Sequence, residues 1–206
     1  MSDSIQDIQK QTFRYYYQDG LVELAVGILF LVIGLDAWAI TSLPAGTPLS
    51  IASWVLLPIL TVGGIIGVQR FVKYLKERYV HPRTGYIEYA ARPNRYRWWV
   101  SGVALALILA VILLPFDWLQ KGSVAGGTIL CVILATIGYQ VSLKRLIAIG
   151  VLSLALGVGF ALSPLTDNAS LAAVFAAVGL ILCLTGTFGF RKYLAENPAP
   201  EEGAHD

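Results

Sequence analysis

VQRFVKYLKERYVHPRTGYIEYAARPNRYR, residues 68–97, separates two long apolar blocks. It carries Arg70, Lys73, Lys76, Arg78, Arg83, Arg92, Arg95 and Arg97, eight of the chain's 15 lysines and arginines. The clustering matters because little else is charged. Of 206 residues, 56% are hydrophobic and 14% charged, whereas soluble domains carry roughly 25% charged residues. Mean hydropathy is +0.67. A helix needs about 20 apolar residues to cross a hydrocarbon core of about 30 Å. Six runs approach that length: 21–40, 51–68, 98–116, 124–143, 146–162 and 169–190. Backbone polar groups in lipid must pair within their own segment, so each run reads as a helix.

The expected fold is therefore an all-α membrane protein, a six-helix transmembrane bundle built of three helical hairpins. The transmembrane domain covers residues 18–192, with 70–97 as its large loop. Residues 1–17 read as an amphipathic interfacial segment, since Ser4 and Asp7 have capping-box spacing and Ile5, Ile8 and Phe13 recur near helical spacing. A cleaved signal peptide ending near Ala37-Trp38-Ala39 is rejected because the apolar run is too long and starts too late. Residues 193–206, with Pro198, Pro200, Glu201, Glu202 and Asp206, read as a disordered tail.

Charge sets the expected threading. With the N-terminus inside, the inner segments hold Lys10, Arg14, the eight residues above, Lys144, Arg145, Arg191 and Lys192, fourteen in all, while the outer loops hold only Lys121. Lysine and arginine concentrate on the cytoplasmic side of membrane proteins, so both termini and 70–97 are expected there. Every tyrosine falls on the inner side, and Trp38, Trp54 and Trp118 mark the outer interface, which reads as two aromatic belts.

Within the spans, Gly27 and Gly34 are seven apart and share one helix face. Gly63 and Gly67 form a GxxxG pair, and Ser153 with Gly157 and Ala172, Ala176 and Gly179 continue the small-residue theme. Such spacing lets helices approach closely in lipid. Pro58 removes one backbone donor from the second span and is expected to kink it. Cys131 and Cys183 fall mid-helix and read as small packing residues. No Cys/His spacing suggests a metal, and nothing suggests a cofactor.

The loop is more patterned than a linker. Tyr79-Val80-His81 and Tyr86-Ile87-Glu88-Tyr89 are rich in β-formers and flank Pro82-Arg83-Thr84-Gly85, so a short β-hairpin-like excursion is expected. His81, Pro82, Arg83, Thr84, Gly85 and Tyr86 are the candidate cytoplasmic interaction loop. An internal repeat is also visible. Ala25-Val26-Gly27-Ile28-Leu29 matches Ala148-Ile149-Gly150-Val151-Leu152, and Gly34 matches Gly157. The FxKYLxE of residues 71–77 recurs at 190–196. Both copies begin on the same side, so the repeat would be parallel.

At DGLVELAVG, residues 19–27, and HPRTGYIEY, residues 81–89, the chain resembles a loose group of small bacterial multi-pass membrane proteins with DGLxELxxG and PRTGY motifs. The resemblance covers mainly the first ninety residues. It implies a bacterial inner-membrane location and lends no catalytic residues.

The candidate intramembrane charge pair is drawn from Asp19, Glu23, Arg70 and Lys73. Asp19 and Glu23 lie four apart on one face of the first helix. A short loop, 41–50, makes the second helix a neighbour, so Arg70 is the expected partner of Glu23. An enzyme is the least supported class, because the two histidines, His81 and His205, lie outside the spans and no nucleophile–base pair stands out. The favoured reading is a non-enzymatic accessory or binding protein presenting loop 70–97. Its partners would be the lipid bilayer and anionic headgroups, with a protein partner at the cytoplasmic face and homo-oligomerisation left open. Nucleic acid is not expected, since the positive-inside rule already accounts for the basic residues. The alternative is a small-solute transporter or channel, drawn from the repeats, Pro58 and Glu23, because intramembrane carboxylates are costly and mark function by default.

Overall fold

A computed structural model describes residues 19–44, 46–80, 121–141 and 143–198, with positions 102, 105, 106 and 109 of the third apolar run. Five helices follow one another: α1 (Leu21–Ser42), α2 (Pro48–Leu75), α3 (Gly122–Val141), α4 (Lys144–Ala161) and α5 (Asp167–Glu196). α2 continues through a single π-helical turn, Lys76–Val80. All five are long and apolar enough to cross a membrane, which marks a multi-pass membrane protein. The four described positions of the third run are helical as well, but the expected sixth span lies mostly outside the described residues, as do 1–17 and most of the loop.

Local chemistry sets the helix ends. Gly20 stands before α1 with φ 75°, a left-handed conformation that glycine adopts without steric cost. Thr47 caps α2 by accepting from Ser50 N at 3.3 Å, and Pro48 occupies the first turn, where no intrahelical donor is needed. Thr166 caps α5 in the same way through Ala169 N. Lys121 Nζ donates to Ala161 O at 3.1 Å, placing a cation on the carbonyl end of α4.

Three expectations are corrected. The second helix does not stop near residue 68; it runs through Arg70, Lys73, Lys76 and Arg78. The segment from Gln69 to Arg78 is rich in good helix formers, has no glycine or proline, and carries an i,i+4 pair between Lys73 and Glu77 at 3.9 Å. Tyr79 and Val80, read as strand, belong to the π-turn that continues α2, and the described residues contain no strand. α5 likewise runs to Glu196, four residues into the expected tail, with its own i,i+4 pair between Lys192 and Glu196. Pro58 lies inside α2, which is assigned as one helix from Pro48 to Leu75.

Packing follows two seams of small residues. α1 lies antiparallel on α5, with Gly20 opposite Gly186, Gly27 opposite Gly179 and Gly34 opposite Ala172 and Ala176. The small positions are seven apart on both helices, so the same face returns to the seam at each step. The approach is at backbone level: a Cβ on Gly27 would stand 2.6 Å from Cys183 N. The second seam joins α3 and α4. A Cβ on Gly127 would stand 2.6 Å from Ser153 O, and one on Gly157 would stand 2.6 Å from Ser123 O. Fully buried Ser153 sits in that seam and donates to Gly150 O at 2.7 Å or Gly127 O at 3.1 Å. The two helix pairs join over a core of Leu130, Leu134, Ile149, Val174, Val178 and Leu182. Phe30 and Phe175 meet edge-to-face at 5.7 Å across the first seam.

α2 stands apart. It packs on α1, where Leu29 lies against Gly64. Gly63 and Gly67, expected as a packing pair, have nothing among the described residues within 4 Å of a Cβ built on either. GxxxG permits close approach without itself supplying a partner, and most of the third apolar run lies outside the described residues.

Candidate functional site

Four buried or half-buried charges meet at one end of the bundle. Asp19 precedes α1 by two residues and is 1% exposed; Glu23, one turn further, is 3% exposed. Asp19 Oδ1 accepts from Leu21 N at 3.1 Å, closing the turn that Gly20 makes possible. Its other oxygen lies 2.9 Å from Nζ of Lys76, itself 5% exposed. Glu23 Oε1 accepts from Nε of Arg145 at 2.7 Å. Glu23 Oε2 has no hydrogen-bond partner among the described residues. The Arg145 guanidinium also lies against Gly189 of α5, where a Cβ would stand 2.8 Å from Nη1.

Three elements deliver the four charges. The carboxylates come from the mouth of α1, Lys76 from the π-turn after α2, Arg145 from the first turn of α4, and Gly189 leaves the space on α5. A π-turn holds an extra residue per turn and rotates the residues after it. It follows directly on Leu75, and its first residue, Lys76, is the one turned inward while Lys73, Glu77 and Arg78 stay exposed.

The expected partner of Glu23 is corrected. Arg70 is exposed and has no acidic partner among the described residues, and Lys73 is exposed and held by Glu77. Arg70 is six residues short of Lys76, about 9 Å along the helix axis, so it lies well away from the level at which α2 meets Asp19. Sequence reasoning found both carboxylates and their common face. It missed Lys76, counted as loop, and Arg145, counted only as an inner charge. The heptad spacing of 20/27/34 and of 172/179/186 was the signal that pairs α1 with α5, and through α5 brings Arg145 to Glu23.

Burial pushes the Asp19 carboxyl above its usual range, against the pull of Lys76 beside it. Two carboxylates and two cations make the cluster neutral, which is how charge is tolerated where water is scarce. No group of three or more metal-ligating side chains occurs among the described residues. His81, Pro82, Arg83, Thr84, Gly85 and Tyr86 lie outside the described residues.

No protein-family model, curated protein or solved structure matches the chain.

Proposed function

We propose that this is a non-enzymatic accessory or binding protein of the bacterial inner membrane, an anchor that presents residues 70–97 at the cytoplasmic face. One observation carries the reading: the carboxylates at the mouth of α1 are each engaged by a cation from another helix, Lys76 at 2.9 Å and Arg145 at 2.7 Å. Groups locked to each other fasten helices; they do not line a solute path. The seams around them meet at backbone contact. Both termini are inside in this reading, six helices cross the membrane, and the resemblance to the DGLxELxxG/PRTGY proteins supports the location.

The reading includes a parallel internal repeat. In its support, Lys73–Glu77 and Lys192–Glu196 occupy matching places in the two FxKYLxE copies and form the same i,i+4 pair, at 3.9 and 3.7 Å. A transporter is the second reading. It is favoured by Asp36, near the opposite end of α1, whose Oδ2 is buried without a hydrogen-bond partner among the described residues.

The test has two arms. Photo-crosslinking amino acids at Arg83 and Tyr86 in cells are expected to give one discrete adduct, abolished by scrambling residues 82–86. Proteoliposomes are expected to take up ions and small solutes no faster than empty vesicles. Rapid uptake that is lost in Asp36→Asn would replace the accessory reading with the transporter.

A further inference from the structure

Acids and bases at the charged end are unequal in number. Among the described residues that end carries Arg70, Lys73, Lys76, Arg78, Lys144, Arg145, Arg191 and Lys192 against Asp19, Glu23, Glu77 and Glu196. Each acid has one base: Lys76, Arg145, Lys73 and Lys192 in turn. Arg70, Arg78, Lys144 and Arg191 are left exposed without an acidic partner among the described residues. Two of these stand on α2 and its π-turn, next to the least covered surface among the described helices. Val62, Ile66, Arg70, Tyr74 and Arg78 follow each other at intervals of four, so each neighbours the next on a stripe that winds round the helix by about 40° per α-helical step. Val62 is 65% exposed, Ile66 52% and Tyr74 54%. Gly63 and Gly67 flank the apolar part, and their missing side chains leave a shallow trough with nothing among the described residues within 4 Å of a Cβ built on either. At the polar part, Arg78 Nη1 donates to Tyr74 OH at 3.1 Å, which leaves the phenol proton to be donated elsewhere.

We infer that this stripe of α2 is a binding site for one anionic phospholipid, its phosphate held by Arg70, Arg78 and the Tyr74 hydroxyl and an acyl chain lying along Val62 and Ile66 in the trough beside Gly63 and Gly67. The chemistry selects the occupant. Two arginines and a phenol recognise a phosphate oxygen set. The apolar run below, starting four residues or about 6 Å from Arg70, requires a ligand with a hydrocarbon tail. Nucleic acid or an acidic peptide would satisfy the arginines and leave the trough empty. A parallel second copy would bring arginine against arginine. The inference deepens the anchor reading and rests on it only in placing residues 70–78 at headgroup level; loss of the Arg83 adduct would leave lipid retention unchanged.

The experiment is native mass spectrometry of the full chain released from nanodiscs of phosphatidylcholine with a minor share of phosphatidylglycerol. One phosphatidylglycerol is expected to stay bound, in preference to phosphatidylcholine. Two exposed cations near an anionic headgroup contribute enough for Arg70→Gln with Arg78→Gln to weaken retention about tenfold or more. Lys144→Gln with Arg191→Gln removes the same charge and is expected to retain the lipid. Gly63→Leu, which fills the trough without changing charge, is expected to weaken it. Equal retention of the two lipids by the unaltered protein would overturn the site, a reading that needs no variant to fold. Equal loss in both double variants would reduce it to diffuse attraction. Displacement of the lipid by millimolar inorganic phosphate would make it a phosphate site instead.

Discussion

Glu23 has a choice of cations within a few turns along its own hairpin, yet it takes Arg145, 122 residues away. The consequence is sharp at the level of one side chain. Removing one partner of a buried ion pair leaves an uncompensated charge and costs about 3–5 kcal/mol. Arg145 is a third exposed, so the loss in Arg145→Ala is expected near the lower end. Unfolding in a denaturing-detergent titration measures it. Glu23→Arg is expected to lower the yield of folded protein, and adding Arg145→Glu to restore part of it. Adding Arg70→Glu instead is expected to restore nothing. Rescue by Arg70→Glu alone would return Glu23 to the second helix and discard the four-charge cluster. Asp19 and Lys76 make an independent comparison: Lys76→Met strands a carboxylate that is 1% exposed, and the double change Asp19→Asn with Lys76→Met is expected to be milder than Lys76→Met alone.

Between helices in lipid there is no hydrophobic driving force, because the tails are as apolar as leucine; association depends on close packing and on hydrogen bonds across the seam. Among the described residues, the glycines of α1 and α5 are therefore structural in a way that Gly63 and Gly67 of α2 are not. Gly179→Leu would drive a side chain into the backbone at Leu31, and is expected to separate α1 from α5 and abolish a stable bundle. Gly63→Leu in the same assay is expected to leave unfolding unchanged, since nothing among the described residues lies within 4 Å of a Cβ there. Size-exclusion profiles and helical content after mild heating check both. A hydrogen bond between membrane helices averages about 0.6 kcal/mol, so Ser153→Ala, which loses the contact to Gly127 O, is expected to show only that small shift. Identical behaviour of Gly179→Leu and Gly63→Leu would remove the distinction between a mated and an unmated small-residue face.

At the scale of the molecule, the described charges divide unequally between the two ends. One end carries the eight bases and four acids already named, and the other carries Asp36, Lys121 and Asp167. By the positive-inside rule the basic end is expected at the cytoplasmic face. With Cys131 and Cys183 replaced, Thr47→Cys is expected to react with an impermeant thiol reagent added outside intact cells, and Arg83→Cys only after permeabilisation. Labelling of Arg83→Cys from outside would invert the threading and move the proposed phospholipid site to the outer leaflet.

Helix identity was legible in the residues themselves. Runs of about twenty apolar residues have one backbone solution in lipid, and α1, α3, α4 and α5 begin within two residues of where those runs begin. The far end of α2 was misjudged because charge was read as a sign of loop, although Lys, Arg, Glu and Gln are good helix formers and a helix can rise past the apolar layer. The carboxylates of the site were legible too, since an acid inside an apolar run stands out against its neighbours. Their partners were not. Helical periodicity says which residues share a face and is silent on which helix that face meets, so Asp19 and Glu23 could be placed together while Lys76 and Arg145 could not be assigned to them. Tertiary structure decided that α1 turns to α5 through Gly20, Gly27 and Gly34. That turn carries Glu23 to Arg145, and the continuation of α2 beyond its apolar run carries Lys76 to Asp19. Among the described residues it leaves Gly63 and Gly67 of α2 unmated, because backbone contact needs two complementary helices, and only one of them is written in any single stretch of the chain.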